Sequence, residues 1–215
     1  MLFDLDGTLL DTAPDMVGAL NSLRATEQRK PLPYEAVRAT VSHGAGRLVR
    51  LGFPDADPAT LLVLQARYLD TYRGALSIHT RLFDGMESVL SELDRRGVAC
   101  GIVTNKPAWL TEPLLAELGL SNRFCCVVSG DTVSERKPHA MPLLHAARLA
   151  GVDPRECAYL GDAQRDIQAA QAASMPALVA AYGYLEPDEW PAWGADAVIR
   201  RPIELLAWLD RAGRS

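Results

Sequence analysis

Two carboxylates, Asp4 and Asp6, stand one residue apart in FDLDGTLLDT, residues 3 to 12, directly behind an apolar run. Side chains two apart on a strand point the same way, so the pair crowds like charges unless a cation or a shared proton holds it. That points to metal binding or to paired acid and base work. Further reactive residues follow: Thr104 and Asn105 end GIVTN, Lys137 sits in ERKPHAMP, Asp162 ends CAYLGD, and Asp166 comes four residues later. Each has an ordinary explanation when taken singly. Asp-x-Asp before glycine makes a turn or cap, Lys137 is a solvated loop lysine, and Asp162 with Asp166 caps a helix. A calcium loop does not fit, because it asks for glycine at its sixth position and glutamate at its twelfth.

The elements around these residues decide whether they meet. From residue 82 onward, β-branched apolar runs alternate with helical patterns. GMESVLSELDRRG reads as a helix, VACGIVTN a strand, PAWLTEPLLAELG a helix, FCCVVSG a strand and MPLLHAARLAG a helix. CAYLGD, RDIQAAQAA and ALVAAYG continue the alternation, and DAVI precedes a last helix ending near Arg211. Gly97, Gly119 and Gly151 fall where helices would end, and Pro107 and Pro202 where they would begin. The alternation predicts a parallel sheet with helices on both faces. In such a sheet the carboxyl ends of the strands face one crevice, where ligands bind, so Asp4, Asp6, Thr104, Asn105 and Asp162 converge there. Pro138 favours an extended conformation at Lys137.

Residues 14–81 differ: APDMVGALNSLRATEQ, PYEAVRATV and PATLLVLQARYLDTYRGAL carry apolar residues at helical spacing without a strand between them. They predict an all-helical domain inserted after the first strand, leaving a core of residues 1–13 and 82–215. MLFDL must then pair with strands from beyond the insertion. Three residues before Asp4 are few for a central strand, so the native start is expected upstream of Met1.

Composition narrows the function. The net charge of -5 and pI near 5.4 exclude the clustered basic surface of a nucleic-acid partner. No apolar stretch approaches the ~18 residues of a membrane span, and no charged-then-apolar leader opens the chain. Cys100, Cys125, Cys126 and Cys157 lie in or beside apolar runs without metal spacing and read as buried small hydrophobes, with Cys125 and Cys126 on opposite strand faces. A reducing cytoplasm is the expected compartment. His139 and His145 read as surface or helix-face residues.

Together, DLDGT, VTNK, KP and GDAQRD resemble the four motifs of the haloacid dehalogenase-like hydrolases, and the helical insertion resembles that family's cap. Ala140 departs from the proline-rich run that often follows the lysine. The resemblance implies a Rossmann-like core and a magnesium-dependent phosphatase acting through an aspartyl phosphate. It makes Asp4 the nucleophile and Asp6 the general acid and base. Asp4, the Asp6 backbone carbonyl and Asp162 become the ligands of Mg2+. The Thr104 hydroxyl, the Asn105 backbone N–H and Lys137 hold the phosphoryl group, and Asp166 orients the lysine. Leu5 points into the core, and Gly7 turns the chain and leaves its amide to face phosphate.

In SHGAGRLV, residues 42 to 49, His43, Gly44 and Arg47 mark a break between helices. They read either as a plain turn or as a loop lowered over the site, with Arg47 meeting a substrate carboxylate. Within the family, DLDGTLLDTAPDM resembles phosphoglycolate phosphatases. SHGAGRLV, IHTRLFDGM, VTNKPAWLTEP, AAYGYLEP and WGADAVI resemble the N-acetylmuramate 6-phosphate phosphatases of cell-wall recycling. The expected partner is thus a small carboxylated phosphomonoester, with N-acetylmuramate 6-phosphate ahead of phosphoglycolate, and a monomer or weak dimer is expected. A phosphomutase of the same fold would return the phosphoryl group to a second hydroxyl. A dehalogenase would lack a general acid at the second aspartate, and a non-catalytic module would not keep every chemical position.

Overall fold

In the computed structural model, which describes residues 1–185 and 190–213, the chain opens with strand β1 (Leu2–Phe3). A turn at Gly7 leads to β2 (Leu10–Asp11), and helices α1 (Ala13–Thr26), α2 (Tyr34–Arg38), α3 (Ala45–Gly52) and α4 (Pro58–Arg73) follow. Strand β3 (Arg81–Leu82) returns antiparallel to β2. Then come α5 (Met86–Arg95), β4 (Gly101–Val103), α6 (Ala108–Glu117), β5 (Cys126–Val128), α7 (Met141–Ala150), β6 (Tyr159–Gly161), α8 (Gln164–Ala172), β7 (Ala177–Ala180), β8 (Ala197–Ile199) and α9 (Glu204–Ala212).

Among the described residues the main sheet has six strands in the order β5-β4-β1-β6-β7-β8, all parallel. β1 lies in the middle, with Leu2 opposite both Gly101 and Tyr159, so the first strand does pair with strands from beyond the insertion. Strand alternation builds two cores. Phe3, Ile102, Leu160 and Leu178 face α5, α6 and α9, while Leu2, Val103, Tyr159 and Val179 face α7 and α8. Both faces are therefore covered, which explains the unbroken apolar strands. Gly97, Gly119 and Gly151 each follow a helix with φ near +70°, where a side chain would strain the backbone.

The helices between β2 and β3 pack on one another and continue the apolar cluster of one sheet face. Met16, Leu20 and Leu23 of α1 pack with Leu48 of α3 and Leu64, Tyr68 and Tyr72 of α4. Asp15 joins the beginning of the insertion to its end, accepting the backbone N–H groups of His79 (2.9 Å) and Thr80 (2.8 Å) and the Thr80 hydroxyl (2.8 Å). The β2–β3 ladder at this neck was not foreseen, since two-residue strands carry no periodicity. The expected burial of all four cysteines also needs correction. Cys125 is exposed because it precedes β5 on the face opposite Cys126. Within AAYGYLEP, Glu186 and Pro187 lie outside the described residues.

Gly7 has φ +82°, and a Cβ there would stand 2.1 Å from Asp162 Oδ2. Its N–H donates to Leu10 O at 3.0 Å, so the amide closes the turn and is not free to face a phosphate, contrary to the expectation above. Gly7→Ala combines a left-handed backbone, worth roughly 1–2 kcal/mol, with a steric collision. A melting curve should show a loss of at least several degrees.

Candidate active site

Three adjacent central strands deliver the polar residues. Asp4 follows β1, Thr104 follows β4 and Asp162 follows β6, so all three leave the sheet at the same edge. The last rungs fix their backbones: Asp4 N–H donates to Leu160 O at 2.9 Å and Thr104 N–H to Val128 O at 2.9 Å. Asp166 sits in the first turn of α8. Its Oδ2 accepts the Ala163 N–H at 3.0 Å, and its Oδ1 lies 2.8 Å from Lys137 Nζ. The helix cap and the lysine partner are thus one side chain.

Lys137 is buried at the junction. Its Nζ lies 2.9 Å from Asp4 Oδ1 and donates to the Tyr159 hydroxyl (2.7 Å) and to Val103 O (3.0 Å). With Asp166 that makes four acceptors for three N–H bonds, so the ammonium is saturated by the protein. Tyr159 donates in turn to Val103 O at 2.7 Å. The sequence reading missed this phenol, which occupies an ordinary core position in CAYLGD. The Asn105 side chain clamps the lysine backbone, with Nδ2 donating to Lys137 O at 2.9 Å and Oδ1 accepting its N–H at 3.1 Å.

Asp4, Asp162 and Asp166 each place an oxygen within 4.8 Å of the others, and all are buried. Burial pushes the Asp4 carboxyl up to about 6, against the pull of Lys137. Burial, followed by the negative charges of Asp4 and Asp166, pushes Asp162 up to about 7. Asp162 Oδ2 accepts the Ser42 hydroxyl at 2.6 Å and the Tyr184 N–H at 3.0 Å, whereas Oδ1 is buried without a protein partner. An all-oxygen, anionic cluster with an unpaired buried oxygen suits a hard divalent cation.

The Asp6 carboxylate turns away from that cluster. Its Oδ1 accepts the Thr12 hydroxyl at 2.7 Å and Lys106 Nζ at 2.8 Å. Lys106 is itself buried, donating to the Tyr72 hydroxyl at 2.9 Å and lying 4.7 Å from the centre of that ring. Lys106 and Tyr72 were not among the sequence candidates. One ends VTNK just beyond the strand, and the other lies on the apolar stripe of α4; only the placement of α4 over the sheet edge joins them.

Asp4, Asp6, Thr104 and Asn105 open onto a cavity of about 620 Å³ whose opposite wall includes His43, Gly44, Tyr68 and Tyr72 from the insertion. Arg47 does not line it and stands exposed on the first turn of α3; Arg136 and Arg165 line it instead. Lys137 is not on the cavity wall either, being enclosed by Asp4, Asp166 and Tyr159.

With this geometry in place, residues 1–180 match the family described as haloacid dehalogenase-like hydrolase. The chain belongs to that family. A phosphoglycolate phosphatase of Xylella fastidiosa (strain Temecula1) is 43% identical over 203 residues, covering 94% of this chain and 89% of that protein. An N-acetylmuramic acid 6-phosphate phosphatase of Pseudomonas aeruginosa is 37% identical over 219 residues, covering 99% and 95%. The crystal structure of a "predicted phosphoglycolate phosphatase" from Haemophilus somnus superposes with a TM-score of 0.86 at 24% identity, covering 97% of this chain and 96% of that one, and supports the fold. Like these relatives, this haloacid dehalogenase-like hydrolase is a phosphoric monoester hydrolase. Among its described residues no helix is long and apolar enough to cross a membrane.

The raised Asp162 carboxyl has a sign that can be checked. Stability associated with its proton is fully present below the ordinary aspartate value near 3.8 and is lost as pH rises toward about 7. In chelator, Asp162→Asn should melt roughly 5–10 °C above the parent at pH 8, and the gap should close by about pH 4. An unchanged gap across that range would contradict the burial argument.

Proposed function

We propose that the chain is a magnesium-dependent phosphomonoesterase that forms an aspartyl phosphate on Asp4 and acts on a small carboxylated metabolite, N-acetylmuramate 6-phosphate being the preferred reading. One observation carries this: the two aspartates of the first motif share a cavity but occupy different environments. Asp4 lies in the anionic cluster beside Lys137, and Asp6 lies outside it against Lys106 and Thr12. One residue is suited to attack and the other to proton transfer.

Asp4 Oδ1 is held by the Leu5 N–H at 2.8 Å and by Lys137 at 2.9 Å, which leaves Oδ2 to approach phosphorus. The Thr104 hydroxyl and the Asn105 N–H seat the phosphoryl oxygens. Thr104 Oγ1 accepts the Lys106 N–H at 3.1 Å, which directs its own proton elsewhere. In the first step Asp4 bonds to phosphorus while the ester oxygen leaves with the proton of Asp6. In the second, Asp6 takes a proton from water, the oxygen of that water bonds to phosphorus, and Asp4 departs as carboxylate. A magnesium ion held by Asp4, Asp162 and the Asp6 backbone carbonyl supplies neutralisation of phosphoryl charge. Lys137 contributes its charge from behind Asp4, kept in place by Asp166.

Residues 14–81 act as a cap that excludes water and selects the leaving group. A cavity of about 620 Å³ with Tyr68, Trp109, Gln65 and His43 on its walls is roomy for phosphoglycolate and offers aromatic faces and amide contacts to an amino sugar. Of the cations on its walls, Lys106 is held by Asp6 and Arg165 by Ser42 O, so Arg136 is the one to meet a substrate carboxylate, with His43 and Gly44 closing over the ligand. The second reading, phosphoglycolate, is favoured by the names of relatives at 41–43% identity.

Phosphate release from N-acetylmuramate 6-phosphate, 2-phosphoglycolate and hexose phosphates tests both levels. Turnover should require magnesium, and kcat/KM should be highest for the amino-sugar phosphate. Asp4→Asn should lower kcat by about 10³-fold or more while retaining the fold, and Asp6→Asn by about 10²–10⁴-fold. Normal turnover by Asp4→Asn would overturn the nucleophile. Equal rates on every ester would overturn the substrate reading alone.

A further inference from the structure

The insertion reaches the carboxylate cluster through one side chain. Ser42 lies in the 3₁₀ turn Val41–His43 between α2 and α3, buried at 8% exposure. Its hydroxyl donates to Asp162 Oδ2 at 2.6 Å across 120 residues of sequence. Its carbonyl accepts from Arg165 Nη2, on the first turn of α8. The turn is thus gripped at two points by residues three apart in the core. Asp162 Oδ2 already receives the Tyr184 N–H, so two donors fix one oxygen, which sets the rotation of the carboxylate and leaves Oδ1 as the oxygen free to ligate.

We propose that Ser42 is a positioning residue for the divalent cation, orienting Asp162 from the insertion, so that docking of the 41–44 turn on the core and cation binding reinforce each other. This rests on Asp162 being a cation ligand. The physical basis is that a carboxylate held by a second donor loses less rotational freedom when it ligates. Outer partners of this kind typically change metal affinity 10–100-fold. The link is reciprocal: whatever the turn adds to cation affinity, the cation returns to docking of the turn. Tyr184 alone would leave the carboxylate with a single donor from the core, free to pivot about that bond.

The test uses the full chain without substrate. Mn2+ binding is titrated by calorimetry in the parent, Ser42→Ala, Ser42→Thr and Asp162→Asn, and hydrogen exchange over residues 39–46 is followed with and without Mg2+. Ser42→Ala should bind Mn2+ on the order of 10-fold more weakly, and Ser42→Thr, which keeps the hydroxyl, should recover most of the loss. Mg2+ should slow exchange in this turn in the parent and much less in Ser42→Ala. If Asp162→Asn binds Mn2+ as the parent does, the ligand assignment fails. If Asp162→Asn loses binding while Ser42→Ala matches the parent, the positioning role of Ser42 is overturned and the ligand assignment stands. Parent exchange in this turn that ignores Mg2+ would likewise overturn the linkage.

Discussion

The structure depends on holding three carboxylates out of water at one sheet edge. Asp4, Asp162 and Asp166 lie within 4.8 Å of one another, and Lys137 touches two of them. Desolvation and repulsion by neighbouring carboxylates oppose the ionisation of Asp4 and Asp162, and the protein meets that cost only in part. Lys137 is spent on Asp4 and Asp166, and among the described residues Asp162 is left with two hydrogen-bond donors and no ion pair. The residual negative charge sits where a divalent ion and a phosphoryl group would balance each other. Preorganised charge of this kind is stored in the fold and needs no rearrangement when the reaction begins.

Rigidity behind the cluster comes from the sheet. Tyr159 sits under Lys137 and bonds to Val103, so β6, β4 and the lysine loop share one buried network. Asn105 clamps the same loop from the strand end. Gly7 and Gly183 are tight for a different reason: a Cβ at either would fall within 2.4 Å of the Asp162 side chain. The backbone is packed against the carboxylate, which restricts the volume available to it.

The insertion is tied to the core by polar contacts at several depths. Ser42 donates to Asp162 at the cluster. Tyr184 spans the neck, its hydroxyl bonded to Ala13 N–H and Asp11 and its N–H to Asp162. Tyr72 reaches Lys106 beside Asp6. These polar contacts fix geometry beside an apolar cluster that runs without a break from Phe3 and Leu5 into Met16 and Leu20 of α1. They also mean that Asp6, whose Lys106 partner bonds to Tyr72, is not positioned by the core alone.

Much of this was legible in the sequence. Alternating apolar runs gave the parallel sheet, because strands buried on both faces are continuous and helices between them keep a 3.6-residue period. Asp4, Thr104 and Asp162 could be placed together because strand ends of a parallel sheet share one edge, whereas the roles given to Lys137 and Asp166 came from the family resemblance. What could not be read was contact between segments whose local patterns are unremarkable. Ser42, Lys106, Tyr72 and Tyr159 look like turn, loop and core residues. The freedom assigned to the Gly7 amide was removed by Leu10 O, and the cavity wall took Arg136 and Arg165 in place of Arg47. Residue types and periodicity alone determined the strands of the main sheet, the helices between them and where reactive groups leave them. The tertiary structure decided which oxygen of each carboxylate is held and which is free, because that depends on donors from distant segments, as when Lys137 holds Asp4 and Ser42 holds Asp162.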